Sequence, residues 1–284
     1  MVLELITNTF KLRSKPYLMF FEAILLTIFA IFFSNLIFPG KYLSVAILSF
    51  IIIGAVPLLN RVYSYDSYIT NYSKPFFLRH KQIFILLFFF FLGIVFTLVV
   101  SYFVLNENIS SNLFNSQFEE LEKVSDVRNS ITGDFTSDGY NKNKFWEVFS
   151  LIFSNNLIVV ISAIILSFFY GAGGLFLIAW NASLLAVVII NYISSAVYHT
   201  GINAAIMGSK HGLIAFLGFI PHGFFEVLAY FVASVAGAIF ARDLFKGVFD
   251  TPFKWHAAKD FLYLFLLAII CLVIGGLIEA SYFV

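Results

Sequence analysis

A histidine and a glutamate stand four positions apart in the otherwise apolar stretch FIPHGFFEVLAYFVASVAGAIFAR (219–242). If this stretch is helical, His222 and Glu226 lie on one face, since residues four apart are neighbours on a helix. Such a pair can bind a cation, relay protons or fasten helices by hydrogen bonds. Both side chains are costly in hydrocarbon, so we expect them to face other helices or water rather than lipid.

The start of the same stretch predicts an interruption of the helix. Pro221 lacks a backbone N–H and disfavours continuing the helix that precedes it, and Gly223 adds backbone freedom. We therefore expect a helix break near 220–223 and a new helix beginning close to His222. Further on, Gly237 continues a four-residue spacing of small residues that favours close helix packing.

The segment before this stretch supplies further polar and small residues. Asn155 and Asn156 precede an apolar run, where they cap a helix, lie at the membrane interface or join a polar cluster. Asn181 follows Trp180 at a predicted turn, which favours a role in the turn over one in ligand binding. The glycines of YGAGG (170–174) favour helix packing over an unwound functional segment. These glycines are Gly171, Gly173 and Gly174.

Enzymatic chemistry has little support in the sequence. A zinc hydrolase normally uses three protein ligands and a water, and the chain has neither an HExxH motif nor a GxSxG nucleophile elbow. We therefore predict no catalytic residue, no metal ligand and no cofactor, and we expect that the protein is not an enzyme.

The composition is that of an integral membrane protein. Hydrophobic residues make up 61% of the 284 residues and charged residues only 12%, whereas soluble proteins have about 25%. The net charge of +1 and the lack of a basic stripe argue against nucleic acid as a partner. The lipid bilayer is the expected surrounding, and a homo-oligomer is left open.

Continuous apolar runs of about 20 residues predict an all-α fold, a polytopic transmembrane helix bundle of about six to seven spans. The turn FPGKY (38–42) predicts a helical hairpin between the first two, and we expect broken helices near 170–174 and 220–223. Glu22 in the first span is expected to snorkel to the headgroups, and Glu279 to lie near the outer interface. The candidate spans are 17–38, 41–60, 82–105, 155–178, 181–198, 212–241 and 261–283.

The distribution of basic residues predicts the orientation. Eleven of the 17 Lys and Arg residues fall on the side of the N-terminus, which favours a cytoplasmic N-terminus and a cytoplasmic loop over 61–81 in the cell membrane. The hydrophilic segment 106–147 would then be extracytoplasmic. It is large enough to dock a partner, or it is a linker, and its SQFEELEKV stretch suits a short helix.

Five short elements, taken in order, resemble the stage II sporulation protein M (SpoIIM) family of membrane proteins over about 150–245. Ala182 stands where the family usually has a glycine. The apolar runs predict a three-span N-terminal membrane region over 1–105, followed by the hydrophilic loop over 106–147, and the resemblance implies a SpoIIM-like domain over 148–284. The elements are NN (155–156), YGAGG (170–174), WN (180–181), PHGFFE (221–226) and AGAIFA (236–241).

The resemblance also implies a non-enzymatic membrane protein. In spore-forming bacteria the family works with peptidoglycan-remodelling enzymes, so a scaffold acting on the membrane or the envelope through partner proteins is the first hypothesis. The second is a channel, transporter or lipid-handling protein that uses His222 and Glu226, since interrupted helices build binding sites in transporters. An intramembrane enzyme is the third and least favoured.

Overall fold

A computed structural model of the chain describes residues 14–69, 76–119, 142–170, 174–198, 202–245, 247–248, 252 and 254–281. Every regular element in these ranges is an α-helix, which confirms the predicted all-α class. The helices are α1 (Leu18–Ile37), α2 (Leu43–Ile69), α3 (Phe76–Val104), α4 (Glu107–Ser110), α5 (Lys142–Tyr170), α6 (Leu175–Tyr198), α7 (Ile202–Phe245) and α8 (Lys254–Ser281).

Five stretches of these helices are long and apolar enough to cross a membrane. Two further apolar stretches of the described residues, Leu43–Leu59 in α2 and Leu175–Asn191 in α6, are shorter than these five. The predicted polytopic helix bundle is therefore confirmed. The five long stretches are Leu18–Ile37, His80–Val104, Phe145–Phe169, Pro221–Phe245 and Lys254–Ser281.

The helix interruption predicted near 170–174 is present. α5 ends at Tyr170, Gly174 lies in a turn, and α6 begins at Leu175, while Gly171 and Gly173 lie outside the described residues. The turn predicted at Trp180 and Asn181 is wrong, because both residues lie inside α6. The predicted span 155–178 is therefore divided between α5 and α6.

The helix break predicted at 220–223 is wrong. α7 continues through Pro221 for 44 residues, about 66 Å, so no helix begins at His222. A proline removes only one backbone hydrogen bond, and membrane helices tolerate that loss where neighbouring helices support them. Here α8 packs against α7 next to the proline, since a Cβ at Gly275 would stand 3.3 Å from the His222 carbonyl oxygen.

Helix packing joins the two halves of the chain. α1 packs on α2 and α3, and the hairpin turn between α1 and α2 contains Gly40 at a φ of 83°. α7 packs most extensively on α8 and α5. α6 contacts α7 and also contacts α2 and α3, so it links the N-terminal helices α1–α3 to the C-terminal helices α5, α7 and α8. The predicted division of the chain at residues 105 and 147 into an N-terminal membrane region, a loop and a C-terminal domain remains a prediction.

The first part of the predicted hydrophilic loop is packed into the bundle. Phe114 and Gln117 are 0% and 1% exposed, and Gln117 Nε2 donates a hydrogen bond of 2.9 Å to Ser183 Oγ on α6. Ser116 Oγ lies 2.8 Å from Ser44 Oγ at the start of α2. Residues 115–119 are helical, at the beginning of the stretch predicted to form a short helix. The middle of the segment 106–119 is therefore packed into the bundle, whereas its two ends are exposed.

Candidate functional site

A polar cluster lies where α5, α7 and α8 meet. Asn156 Nδ2 on α5 donates a hydrogen bond of 2.5 Å to Glu226 Oε1 on α7. The hydroxyl of Tyr230, one turn further along α7, donates to Asn156 Oδ1 at 2.7 Å. The Asn156 amide thus both donates to α7 and accepts from it, so one side chain joins the two helices twice. We call Asn156, Glu226, Tyr230 and Glu279 the outer cluster.

α8 completes the outer cluster. The Glu279 carboxyl lies beside that of Glu226 and interacts with it. Gly275 allows this approach, because a Cβ there would stand 3.3 Å from both Glu226 Cγ and the His222 carbonyl oxygen. One residue on, a Cβ at Gly276 would stand 3.2 Å from the Phe149 ring of α5. The two neighbouring glycines therefore let α8 pack against α7 and α5 at the level of the cluster.

The structure brings together only some of the residues predicted for the polar cluster. Asn156 and Glu226 are bonded, whereas Asn155 is exposed on the surface of α5. Both asparagines lie well inside a helix, so the alternative of helix capping is wrong. Asn181 Nδ2 donates to the Leu177 carbonyl within its own helix, at 2.7 Å.

The remaining predicted residues lie along α7. His222 is half-buried, and its carbonyl oxygen faces α8 at Gly275. Pro221 is half-buried and Gly223 is buried. Glu22 on α1 is 8% exposed, so the expectation that it snorkels to the headgroups is wrong.

The glycines predicted to pack helices lie at the crossing of α5 and α7. The Gly174 N–H donates to Ser167 Oγ at 2.9 Å, and the Gly174 carbonyl accepts from Ser234 Oγ at 3.4 Å. A Cβ at Gly237 would press on the Ile164 carbonyl oxygen and lie 2.9 Å from Ser167 Cβ. Both glycines are buried, and their lack of a side chain lets the two backbones approach.

A second group of buried charges lies at the C-terminal end of α7. His80 Nε2 on α3 is 3.4 Å from Asp260 Oδ2 on α8, and Arg242 Nη2 is 2.7 Å from Asp243 Oδ1 on α7. Asp243 also interacts electrostatically with His80 and Asp260. We call these four residues the inner cluster. Seventeen positions separate Glu226 from Asp243, about 25 Å along the helix, so the two clusters lie near opposite ends of the span.

Sequence reasoning found Asn156 and Glu226 but missed Tyr230 and Glu279 as their partners, and it missed the inner cluster entirely. Tyr230 follows Glu226 by four residues, so helical spacing alone was enough to place it on the same face. Glu279 meets Glu226 only through the antiparallel packing of α8. His80 and Asp260 are 180 positions apart, and no local pattern connects them.

The chemistry available to the outer cluster is hydrogen bonding and charge interaction. Its amide, phenol and carboxyl groups can link helices, and its two acids can interact with a cation or a proton. Within the described residues, no group of three or more His, Cys, Asp or Glu side chains is arranged to hold a metal ion.

The apolar spans and the interhelical polar contacts define a polytopic helical membrane protein. The family model described as stage II sporulation protein M matches residues 83–282, which is more than half of the chain. The chain therefore belongs to that family. The match runs from α3 through the end of α8, a wider region than the 150–245 of the predicted resemblance. No curated protein and no solved structure matches the chain.

Proposed function

We propose that the chain is a non-enzymatic membrane scaffold that acts in membrane or envelope remodelling by binding partner proteins. The observation that carries the proposal is the pair of hydrogen bonds that join α5 to α7 through Asn156. These polar side chains lie between helices and bond one another, as expected of groups that fasten a bundle. The inner cluster makes the same kind of contact between α3 and α8 through His80 and Asp260.

The packed segment 106–119 supports a docking role for the residues that follow it. Phe114 and Gln117 are buried in the bundle, and the described segment is anchored near residue 119 by contacts with α2, α3 and α6. A partner bound to 120–141 on the extracytoplasmic side would be held close to the membrane. Envelope or cell-wall remodelling proteins are the partners that family membership favours.

The test of docking is to replace residues 120–141 with a Gly/Ser linker of the same length. Residues 106–119 must be kept, because their removal would disturb the core. A variant with the order of residues 120–141 scrambled controls for composition. We expect both variants to insert normally and to lose cross-linked envelope proteins, quantified by mass spectrometry of the tagged protein. Unchanged capture by both variants would show that this segment does not dock the partners.

A second candidate function is a channel, a transporter or a lipid-handling protein. The observation that favours it is the contact of two acids, Glu226 and Glu279, at the end of a span, with His222 one turn from Glu226. Paired acids and a histidine suit the transfer of a proton or a cation. Proton and cation flux into proteoliposomes tests this function with His222→Ala and Glu226→Gln. If flux occurs and neither change alters it, these residues are not the transport site.

A further inference from the structure

The exposed side chains of α8 form a stripe whose chemistry changes along the helix. The stripe begins with an aromatic residue and a lysine and continues with aliphatic residues. Its members recur at spacings of three and four residues, so they share one face of the helix. We call this set the α8 stripe, and its members are Trp255, Lys259, Leu262, Tyr263, Leu266 and Ile270.

The lysine end of the α8 stripe lies at a boundary of the membrane. Asp260, next to Lys259, contacts His80, the first residue of the apolar span of α3. Nineteen positions separate Asp260 from Glu279 of the outer cluster, about 28 Å along the helix, close to the ~30 Å thickness of the hydrocarbon core. Tryptophan and tyrosine are enriched at such boundaries. We therefore expect Lys259 to lie among the lipid headgroups and the aliphatic part of the stripe among the acyl chains.

The exposed charges at this end of the α8 stripe are positive. Lys254 Nζ lies 5.9 Å from the centre of the indole ring that begins the stripe. Lys81 on α3 and Lys259 on α8 are both exposed, and each adjoins one residue of the His80–Asp260 contact, so the two lysines lie at about the same level. The three ammonium groups therefore favour an anionic partner. The exposed acids of the described residues lie elsewhere, on or near the segment 106–147, and are Glu107, Glu119 and Glu147.

We propose that the α8 stripe, together with Lys81 and Lys254, binds an anionic phospholipid. The lipid phosphate would lie among the three ammonium groups, and an acyl chain would lie along Leu262, Leu266 and Ile270. An anionic solute would contact the lysines alone, whereas a phospholipid also covers the aliphatic residues of the same stripe. A lysine close to an anionic membrane surface strengthens binding about fivefold, which sets the scale of the expected preference over a zwitterionic lipid.

Quenching of a single tryptophan by brominated lipids tests the location of the site. The three native tryptophans are changed to phenylalanine, and Leu266→Trp places a probe in the α8 stripe, seven residues from Lys259. Liposomes contain phosphatidylcholine and phosphatidylglycerol, with one lipid brominated at a time, so the two quenching curves give the relative affinity at the probe. We expect a preference of about fivefold for phosphatidylglycerol. The matched control Leu151→Trp, on the exposed face of α5 four residues from Glu147, should show no preference.

Substitution of the lysines tests whether their charge causes the preference. With the probe at 266, we expect the double change Lys254→Gln and Lys259→Gln to remove the preference for phosphatidylglycerol. The control Lys41→Gln, which removes an exposed lysine from the turn between α1 and α2, should leave it unchanged. No preference at 266 in the parent chain, an equal preference at 151, or a preference that survives the double change would overturn the proposal. So would weak quenching by both lipids, which would show that protein, such as a second copy, covers the stripe.

Discussion

Gly237→Ala is expected to destabilise the bundle, because the glycine lies where α5 and α7 are closest. The added Cβ would press on the Ile164 carbonyl oxygen and stand 3.0 Å from Ile164 Cα. These are backbone atoms, so no side-chain rotation relieves the contact and the two helices must separate. Overpacking costs about 1–3 kcal/mol, and the better helix propensity of alanine returns up to about 1 kcal/mol. The expected net loss is about 1–2 kcal/mol of unfolding free energy.

Gly275→Ala is the matched control for this change. Its Cβ would meet Glu226 Cγ and the His222 carbonyl oxygen at 3.3 Å, and Phe225 Cβ at 3.4 Å. These distances require adjustments of only a few tenths of an ångström, so we expect a change in unfolding free energy within about 0.5 kcal/mol.

Reversible unfolding of both variants, measured by steric trapping in bilayers or by denaturant in mild detergent, compares them directly. Gly237→Ala should be clearly less stable than Gly275→Ala. If the two variants were equally stable, or Gly237→Ala were as stable as the parent protein, close approach of α5 and α7 at this glycine would not limit stability.

Two further predictions concern other buried contacts. Phe114→Ala should lower the free energy of unfolding by about 3–5 kcal/mol and expose 106–119 to proteolysis, because the Phe114 ring is 0% exposed. Phe118→Ala, which alters a more exposed ring, is the control. If Phe114→Ala were digested no faster than Phe118→Ala, Phe114 would not anchor the segment. Asp260→Ala should lower stability by about 1–3 kcal/mol, since its carboxylate is buried and bonds His80, whereas Asp260→Asn should lose less. Equal losses in the two Asp260 variants would rule out the hydrogen bond as the source of stability.

Much of the fold could be predicted from local properties of the sequence. Apolar runs of sufficient length predicted the helical spans, and the tight turn at 38–42 predicted the hairpin. The four-residue spacing that led to Glu226 also places Tyr230 on the same face, although the sequence did not reveal which helix would meet them. Pairing with Asn156 depends on the packing of α5 beside α7, which hydropathy does not encode.

The errors in the sequence predictions share a physical cause, which is the dominance of tertiary context over local rules. Pro221 disfavours helix locally, yet α7 is continuous through it and packs against α8 beside His222. The polar composition of 106–119 indicated an exposed loop, but Gln117 is buried and its Nε2 donates a hydrogen bond to Ser183 Oγ. His80 and Asp260 meet only because α3 and α8 begin on the same side of the bundle.

The central claim is that Glu226 acts as a hydrogen-bond acceptor that fastens α5 to α7. Glutamine keeps an acceptor oxygen for Asn156 and lacks the negative charge, whereas leucine lacks the acceptor. The experiment measures the unfolding free energies of Glu226→Gln and Glu226→Leu, each with and without Asn156→Leu. The comparison separates the role of Glu226 as a hydrogen-bond acceptor from a role that depends on its charge. We predict that Glu226→Gln stays within about 0.5 kcal/mol of the parent protein, and that Glu226→Leu loses about 1–2 kcal/mol, most of it shared with Asn156. Equal losses for glutamine and leucine, with no coupling to Asn156, would contradict the account and give Glu226 a role that depends on its charge.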